Sequence, residues 1–235
     1  MYAGASGLSY PAAKGAFYPR KLSPKDALAY YASRLETIEI NTTFYGNPKE
    51  EVIAAWVAAV PPGFRFAVKA SRWVTHASKE RMMRNDVGRF AERIEGFGER
   101  LGPVLFQFPA THEYQQDRLE PFLERLPSGW KAAFQFRHPS WHVELVSRLI
   151  ESAGGAVCHA DGEEDPGPIG RGAFLYFRMR RQTYTRTALD AWSSRFEAYA
   201  RDGRDVFAYF KHEGRAPGFA LRVQTSDRIQ AATAL

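Results

Sequence analysis

Phe134-Gln135-Phe136-Arg137-His138 alternates apolar and polar side chains and stops at a Pro-Ser-Trp turn. It is one of eight short apolar runs that end in a polar or charged residue just where the run gives way to a loop. Ile38-Glu39-Ile40-Asn41, Phe66-Ala67-Val68-Lys69, Leu105-Phe106-Gln107-Phe108, Leu175-Tyr176-Phe177-Arg178 and Ala208-Tyr209-Phe210-Lys211 repeat the pattern. Helix-like stretches separate them. Strands that alternate with helices make a parallel sheet, and functional groups gathered at the carboxyl ends of the strands are the mark of a (β/α)8 barrel of the TIM type. The expected fold class is therefore α/β, one barrel spanning residues 1–235.

Working outward, strands are expected over Met1 to Ser6, Leu35 to Asn41, Phe64 to Ala70, Val104 to Phe108, Lys131 to Arg137, Ala156 to Ala160, Ala173 to Met179 and Asp205 to Lys211. Ser23-Pro24 opens a helix that reaches about Arg34, with the serine as N-cap and proline in the first turn. Asn47-Pro48-Lys49-Glu50 opens another, in which Val52, Ile53, Trp56, Val57 and Val60 recur at helical spacing before Pro61-Pro62-Gly63 ends it. Further helices are expected from Asp86, over Gln116 to Leu126, Val143 to Ser152, Thr187 to Arg201 and Gly218 to Gln230. Ser71 to Asn85 and Asp161 to Gly172 read as long loops.

The bulk properties agree with one barrel. The chain has 235 residues, and a hydrophobic content of 45% supplies a single large core. The longest apolar stretches are strand-sized, so no membrane helix is expected, and Met1 to Gly7 lacks the pattern of a signal peptide. Cys158, the single cysteine, has no intrachain partner; it reads as a small core residue and fits a reducing cytoplasm. The net charge of +6 favours anionic partners in general, but only the position of the charges makes that specific.

Residues two apart on a strand share a face. In a barrel one face meets the helices and the other fills the lumen. Ile38, Ile40, Phe134, Phe136 and Phe177 suit the helix layer, which sends Glu39, Asn41, Lys69, Gln107, Gln135, Arg137, Arg178 and Lys211 inward. The parity of Lys211 is the least secure, because Phe210 and His212 form the alternative inner pair. Four cations then face one carboxylate, and Asp161 at the exit of strand six adds a second. Isolated charges in a lumen must pair or meet solvent and ligand. The competing reading is that these charges only fix strand register. Aromatic residues collect at the same rim: Phe44, Tyr45, Trp73, Trp141 and Tyr184 read either as stacking surfaces or as plugs for long loops.

Several segments carry a resemblance. Glu39-Ile40-Asn41-Thr42-Thr43-Phe44-Tyr45, Phe64-Arg65-Phe66-Ala67-Val68-Lys69-Ala70 with Thr75-His76, and Gly102-Pro103-Val104-Leu105-Phe106-Gln107-Phe108-Pro109 are joined by Phe136-Arg137-His138-Pro139-Ser140-Trp141, Ala160-Asp161 and Tyr209-Phe210-Lys211-His212-Glu213. Together they resemble the YecE-like family, a domain of unknown function numbered 72, over nearly the whole chain. The resemblance implies a TIM-barrel-like fold and brings no settled activity. It highlights Glu39, Asn41, Lys69, His76, Gln107, Arg137, His138, Asp161 and Arg178. Three departures stand out: Gln135 where the family usually has glutamate, Leu8 where tryptophan is common, and Arg180-Arg181 in place of a frequent His-Gly.

Three functions compete. The first is binding of an anionic, phosphate-bearing ligand by Asn41, Lys69, His76, Gln107, Gln135, Arg137, His138, Arg178 and Lys211. The second is phosphodiester hydrolysis, with Glu39 or Asp161 as general base; a metal-dependent version would recruit His76, His138, Asp161, His212 and Glu39, although no compact metal-ligand motif is present. The third is a non-catalytic nucleic-acid module with Arg72, Arg81, Arg84 and Arg180-Arg181 at its rim. No G-x-G-x-x-G or P-loop run occurs, which argues against dinucleotide or ATP binding. No cofactor is specified.

Overall fold

The computed structural model describes residues 1–7, 11–46, 48–76, 86–162 and 169–233. Eight parallel strands close into a barrel in sequence order: β1 (Tyr2–Ser6), β2 (Thr37–Ile40), β3 (Arg65–Lys69), β4 (Leu101–Phe108), β5 (Ala132–Phe136), β6 (Ala156–Ala160), β7 (Phe174–Met179) and β8 (Asp205–Phe210). Closure runs through the β1–β8 register, Tyr2 against Phe207 to Ala5 against Phe210. The helices are α1 (Ala27–Ala32), α2 (Glu50–Ala58), a single turn α3 (Arg72–Thr75), α4 (Asp86–Ile94), α5 (Gln116–Glu124), α6 (Glu144–Ser152), α7 (Arg186–Arg201) and α8 (Ala216–Thr233). The (β/α)8 expectation is met. Between β6 and β7 the described residues hold no helix, in keeping with the Gly- and Pro-rich sequence there.

Alternation along each strand divides the core in two. Ile38, Ile40, Phe66, Val68, Phe106, Phe134, Phe136 and Phe177 pack outward against the helices. Ala67, Leu105, Ala133, Cys158, Tyr176, Phe207 and Tyr209 fill the lumen. The small members leave room for the large aromatic rings of β7 and β8, which is how a barrel of eight strands is filled without voids. Gly4 is required by this crowding, because a Cβ there would collide with the Thr37 carbonyl of β2. Lys211 follows the lumen parity of Phe207 and Tyr209, while Phe210 lies in the helix-facing core.

Several boundaries differ from expectation, and the single turn α3 falls in the stretch expected to be a loop after β3. Strand β4 begins at Leu101 rather than Val104, with Leu101 paired to Phe66 and an irregular register between Phe66 and Val68. Pro103 lacks an N–H to give to a ladder, so it is tolerated at that irregularity. A 3-10 turn, Pro24–Asp26, precedes α1, which stops at Ala32 instead of Arg34. Helix α8 starts at Ala216, before Gly218. Leu8, Asn47, Arg81 and Arg84 lie outside the described residues.

Candidate functional site

The carboxyl ends of the strands surround a cavity of about 600 Å³ lined by Ser6, Gly7, Asn41, Phe44, Tyr45, Lys69, His76, Gln107, Gln135, Arg137, Arg178, Arg180 and Lys211. Five of these are cations, and no carboxylate lines the cavity among the described residues. Asn41, Lys69, His76, Gln107, Gln135, Arg137, Arg178 and Lys211 are thus brought together as the face pattern implies. Glu39, Asp161 and His138 are placed elsewhere.

Glu39 lies beneath the floor, 0% exposed. Its register partner is Ala67, two residues before Lys69, so it stands a layer deeper than the lysine. Its Oε1 accepts hydrogen bonds from Arg178 Nη2 at 3.0 Å, Arg180 Nη2 at 3.0 Å, Asn41 Nδ2 at 3.2 Å and the Ser6 hydroxyl; its Oε2 accepts from the Tyr176 hydroxyl at 2.7 Å. Burial alone would raise this carboxyl. The guanidinium charges of Arg178 and Arg180, with the hydrogen bonds, outweigh burial and hold it well below the usual carboxylate range. A carboxylate with five donors and no exposed surface is a poor proton acceptor for a ligand in the cavity above it.

Arg178 spans the floor. Its Nη1 donates to Gln135 Oε1 at 2.8 Å while Gln107 Nε2 donates to the same oxygen at 2.7 Å, and Lys69 Nζ donates to Gln107 Oε1 at 2.8 Å. A chain of neutral amides thereby links lysine to arginine. Arg178 Nε is buried with no acceptor among the described residues. Lys69, 9% exposed, also sits 3.7 Å from the centre of the Phe44 ring, and the His76 ring meets Phe44 edge-on at 5.0 Å. Burial and then the Arg178 charge bring the Lys69 ammonium down to about 8, with Arg137 and Arg180 acting in the same direction against Glu39. Burial, Lys69, His112 and Arg137 lower His76.

Asp161 is held outside the cavity lining. Both its oxygens accept from the Tyr184 hydroxyl, at 2.8 and 2.7 Å, and Oδ1 accepts from the Arg180 N–H at 2.6 Å. It anchors the loop after β6 to the end of β7. Gly162 permits this approach, since a Cβ there would lie 2.6 Å from the Arg180 Cβ. His138 accepts from the Ser140 N–H at 3.2 Å and opens the 3-10 turn Pro139–Trp141 as its cap. His212 likewise accepts from the Gly214 N–H at 3.1 Å. Among the described residues no three His, Cys, Asp or Glu side chains gather as metal ligands would. The rim aromatics divide: Tyr45 (77% exposed) and Trp73 (52% exposed) face solvent, whereas Trp141 and Tyr184 are buried plugs.

Ser6 escaped the candidate set, and Arg180 was expected only at the rim. Arg180 shares the lumen face with Arg178, two positions on, and that spacing was available in the sequence. Ser6 stands beside Glu39 in the β1–β2 register and also accepts from Arg180 Nη2 at 3.1 Å. No simple sequence signal marks it.

The model of the family described as "Protein of unknown function DUF72" matches residues 2–234. The UPF0759 protein YecE of Escherichia coli (strain K12) is 31% identical over 119 residues, a match covering 50% of this chain and 44% of that protein. The chain thus spans less than half the length of this curated relative. A DUF72 family protein of Thermotoga maritima MSB8 is similar in structure, with a TM-score of 0.81 at 25% identity, covering 97% of this chain and 98% of the other. A DUF72 family protein of Enterococcus faecalis V583 matches with a TM-score of 0.75 at 20% identity, covering 97% and 98%.

Proposed function

The chain belongs to the DUF72 family of proteins of unknown function, and from that footing we propose that it binds a small anionic, phosphate-bearing ligand in the cavity at the carboxyl face of its barrel. The observation that carries this reading is the wall of that cavity: Lys69, Arg137, Arg178, Arg180 and Lys211, with neutral amides between them and one carboxylate, Glu39, below the floor. Guanidinium forks suit phosphate oxygens, and an entering anion would give Lys69 a direct partner for its charge, which no described carboxylate supplies within 4 Å. Glu39 is the counter-ion of Arg178 and Arg180 in this reading, and Asp161 is a loop anchor. The phosphodiester hydrolysis reading loses both of its candidate bases, since neither reaches the cavity. In this reading the cavity binds its ligand, and no general-base step is assigned to these two carboxylates.

Thermal denaturation with inorganic phosphate and a sugar phosphate tests the proposal. A ligand present at about 100 times its dissociation constant adds about 2.7 kcal/mol, roughly 5–10 °C in a domain of this size. No rise at about 10 mM phosphate or sugar phosphate, where even a millimolar dissociation constant yields about 1.4 kcal/mol, would overturn it. Exposed Tyr45 and Trp73 beside Arg72 favour a second reading, in which the phosphate belongs to a single-stranded nucleic acid. Steep loss of oligonucleotide affinity with salt supports that reading, and a flat response opposes it.

A further inference from the structure

We propose that Lys69 is a nucleophilic amine which condenses with the carbonyl carbon of a phosphorylated aldehyde or ketone, forming a reversible imine in the cavity. The proposal rests on the reading of that cavity as an anion site and names the substrate class for it: open-chain sugar phosphates and their short relatives.

The geometry supplies the parts. Lys69 lies at the carboxyl end of β3 with its Nζ on the cavity wall, and its stem is buried. The polar contact of Nζ is the neutral oxygen of Gln107, and its other contact is the face of Phe44. Among the described residues no carboxylate stands within 4 Å of it, so no ion pair fixes the proton on nitrogen. Three guanidiniums, those of Arg178, Arg137 and Arg180, repel its charge. Lysines that form imines are activated in this way, by burial and by neighbouring cations. Lys211 lines the same cavity but is exposed, so the wall offers an internal comparison.

The lysine at about 8 is roughly one-quarter neutral at about pH 7.5, against about one part in a thousand for an ordinary lysine. The arginines hold the phosphate and leave the carbonyl carbon to be met by the Nζ lone pair. As the C–N bond forms, the carbonyl π pair moves onto oxygen, which takes a proton that nitrogen releases. The second nitrogen proton reaches the same oxygen, and water leaves as the C=N bond forms. No oxidant or reductant enters. Water returns by the reverse path to free the carbonyl compound.

The test traps the imine by reduction. Wild-type protein is treated with glycolaldehyde phosphate and cyanoborohydride at about pH 7.5, and separately with glycolaldehyde, and modified lysines are mapped by peptide mass spectrometry. The expected result is labelling of Lys69 about tenfold or more faster than Lys211 or any other lysine, after allowing for the lower intrinsic nucleophilicity of a less basic amine. That preference should need the phosphate group, should be competed by inorganic phosphate, and should vanish in Lys69→Arg. Labelling of Lys69 no faster than Lys211, while inorganic phosphate still raises the melting temperature, overturns the nucleophile and leaves the anion site standing. Absence of both effects overturns the two together. Phosphate-dependent labelling centred on Lys211 also overturns the assignment, because the amine would then be the exposed one.

Discussion

Replacing Glu39 by glutamine separates a counter-ion from a catalytic base, because the two roles predict opposite changes. Four donors meet Oε1 and the Tyr176 hydroxyl meets Oε2. A glutamine that keeps its oxygen at the Oε1 position retains those four bonds, and the Tyr176 hydroxyl can rotate to accept from the new amide. The loss is then chiefly one of charge: two buried guanidiniums, at 3.0 Å each, are left without a carboxylate. Removing one partner of a buried ion pair costs about 3–5 kcal/mol, which for a domain of this length lowers the melting temperature by roughly 6–20 °C. The same change adds a positive charge under the cavity, so inorganic phosphate should stabilise the variant more than the wild type. The pH dependence has a definite sign. The folded carboxyl is held below its ordinary 4.5, so its contribution is present above that value and lost as pH falls below it. The gap in stability between wild type and variant should therefore be constant through neutrality and close in acid. Thermal denaturation across pH, with and without phosphate, reads all three effects. A variant within about 2 °C of the wild type near neutrality, or one that loses its response to phosphate while folded, would refute the counter-ion assignment.

Arg137 is exposed at the cavity mouth, so Arg137→Ala should weaken phosphate binding about 5- to 50-fold, measured calorimetrically, with little change in melting temperature. Phosphate affinity should fall as pH rises through about 8, where Lys69 gives up its proton, and that step should be missing in Lys69→Met. Gln135→Glu places a carboxylate on Arg178 Nη1 and should reduce phosphate affinity about tenfold while preserving the fold; unchanged affinity would mean that Arg178 does not serve the ligand. Gly162→Ala forces the loop after β6 away from Arg180 and should lower stability by about 1–3 kcal/mol, seen as a shift of the denaturation midpoint.

The period-two alternation carried most of the fold and most of the cavity, because a strand face depends on parity alone. Gln107 and Gln135 are register partners on the lumen side, as that parity requires. Depth within the lumen is a different quantity. It depends on the stagger of neighbouring strands, which no single strand encodes. Glu39 and Lys69 look equivalent in sequence, each a charged residue on an inward face, yet the β2–β3 register sets Glu39 beside Ala67 and puts it under the floor. Asp161 shows a second limit. Its partner Tyr184 is 23 residues away across a loop, and only the folded chain shows that a rim aromatic and a rim carboxylate consume one another. His138 was decidable locally, since a histidine before Pro-Ser-Trp has a cap to make, and it makes that cap.

The charge pattern of the floor favours the proposed anion site over a structural ion pair. A pair that merely fixes register needs no more than one cation per carboxylate, because each extra buried charge adds desolvation and repulsion without adding geometry. Glu39 carries two guanidiniums; among the described residues Lys69 stands near both with an amide oxygen and a ring face for company, and Arg178 Nε has no acceptor. Each of these is unfavourable for the protein by itself, and the proposed reading has one event relieve them, the entry of an anion with several acceptor oxygens. The amide chain through Gln107 and Gln135 spreads that relief across the floor, since it couples the positions of Lys69 and Arg178. Placement of these groups at strand ends, rather than on loops, is the arrangement the proposed phosphate site needs.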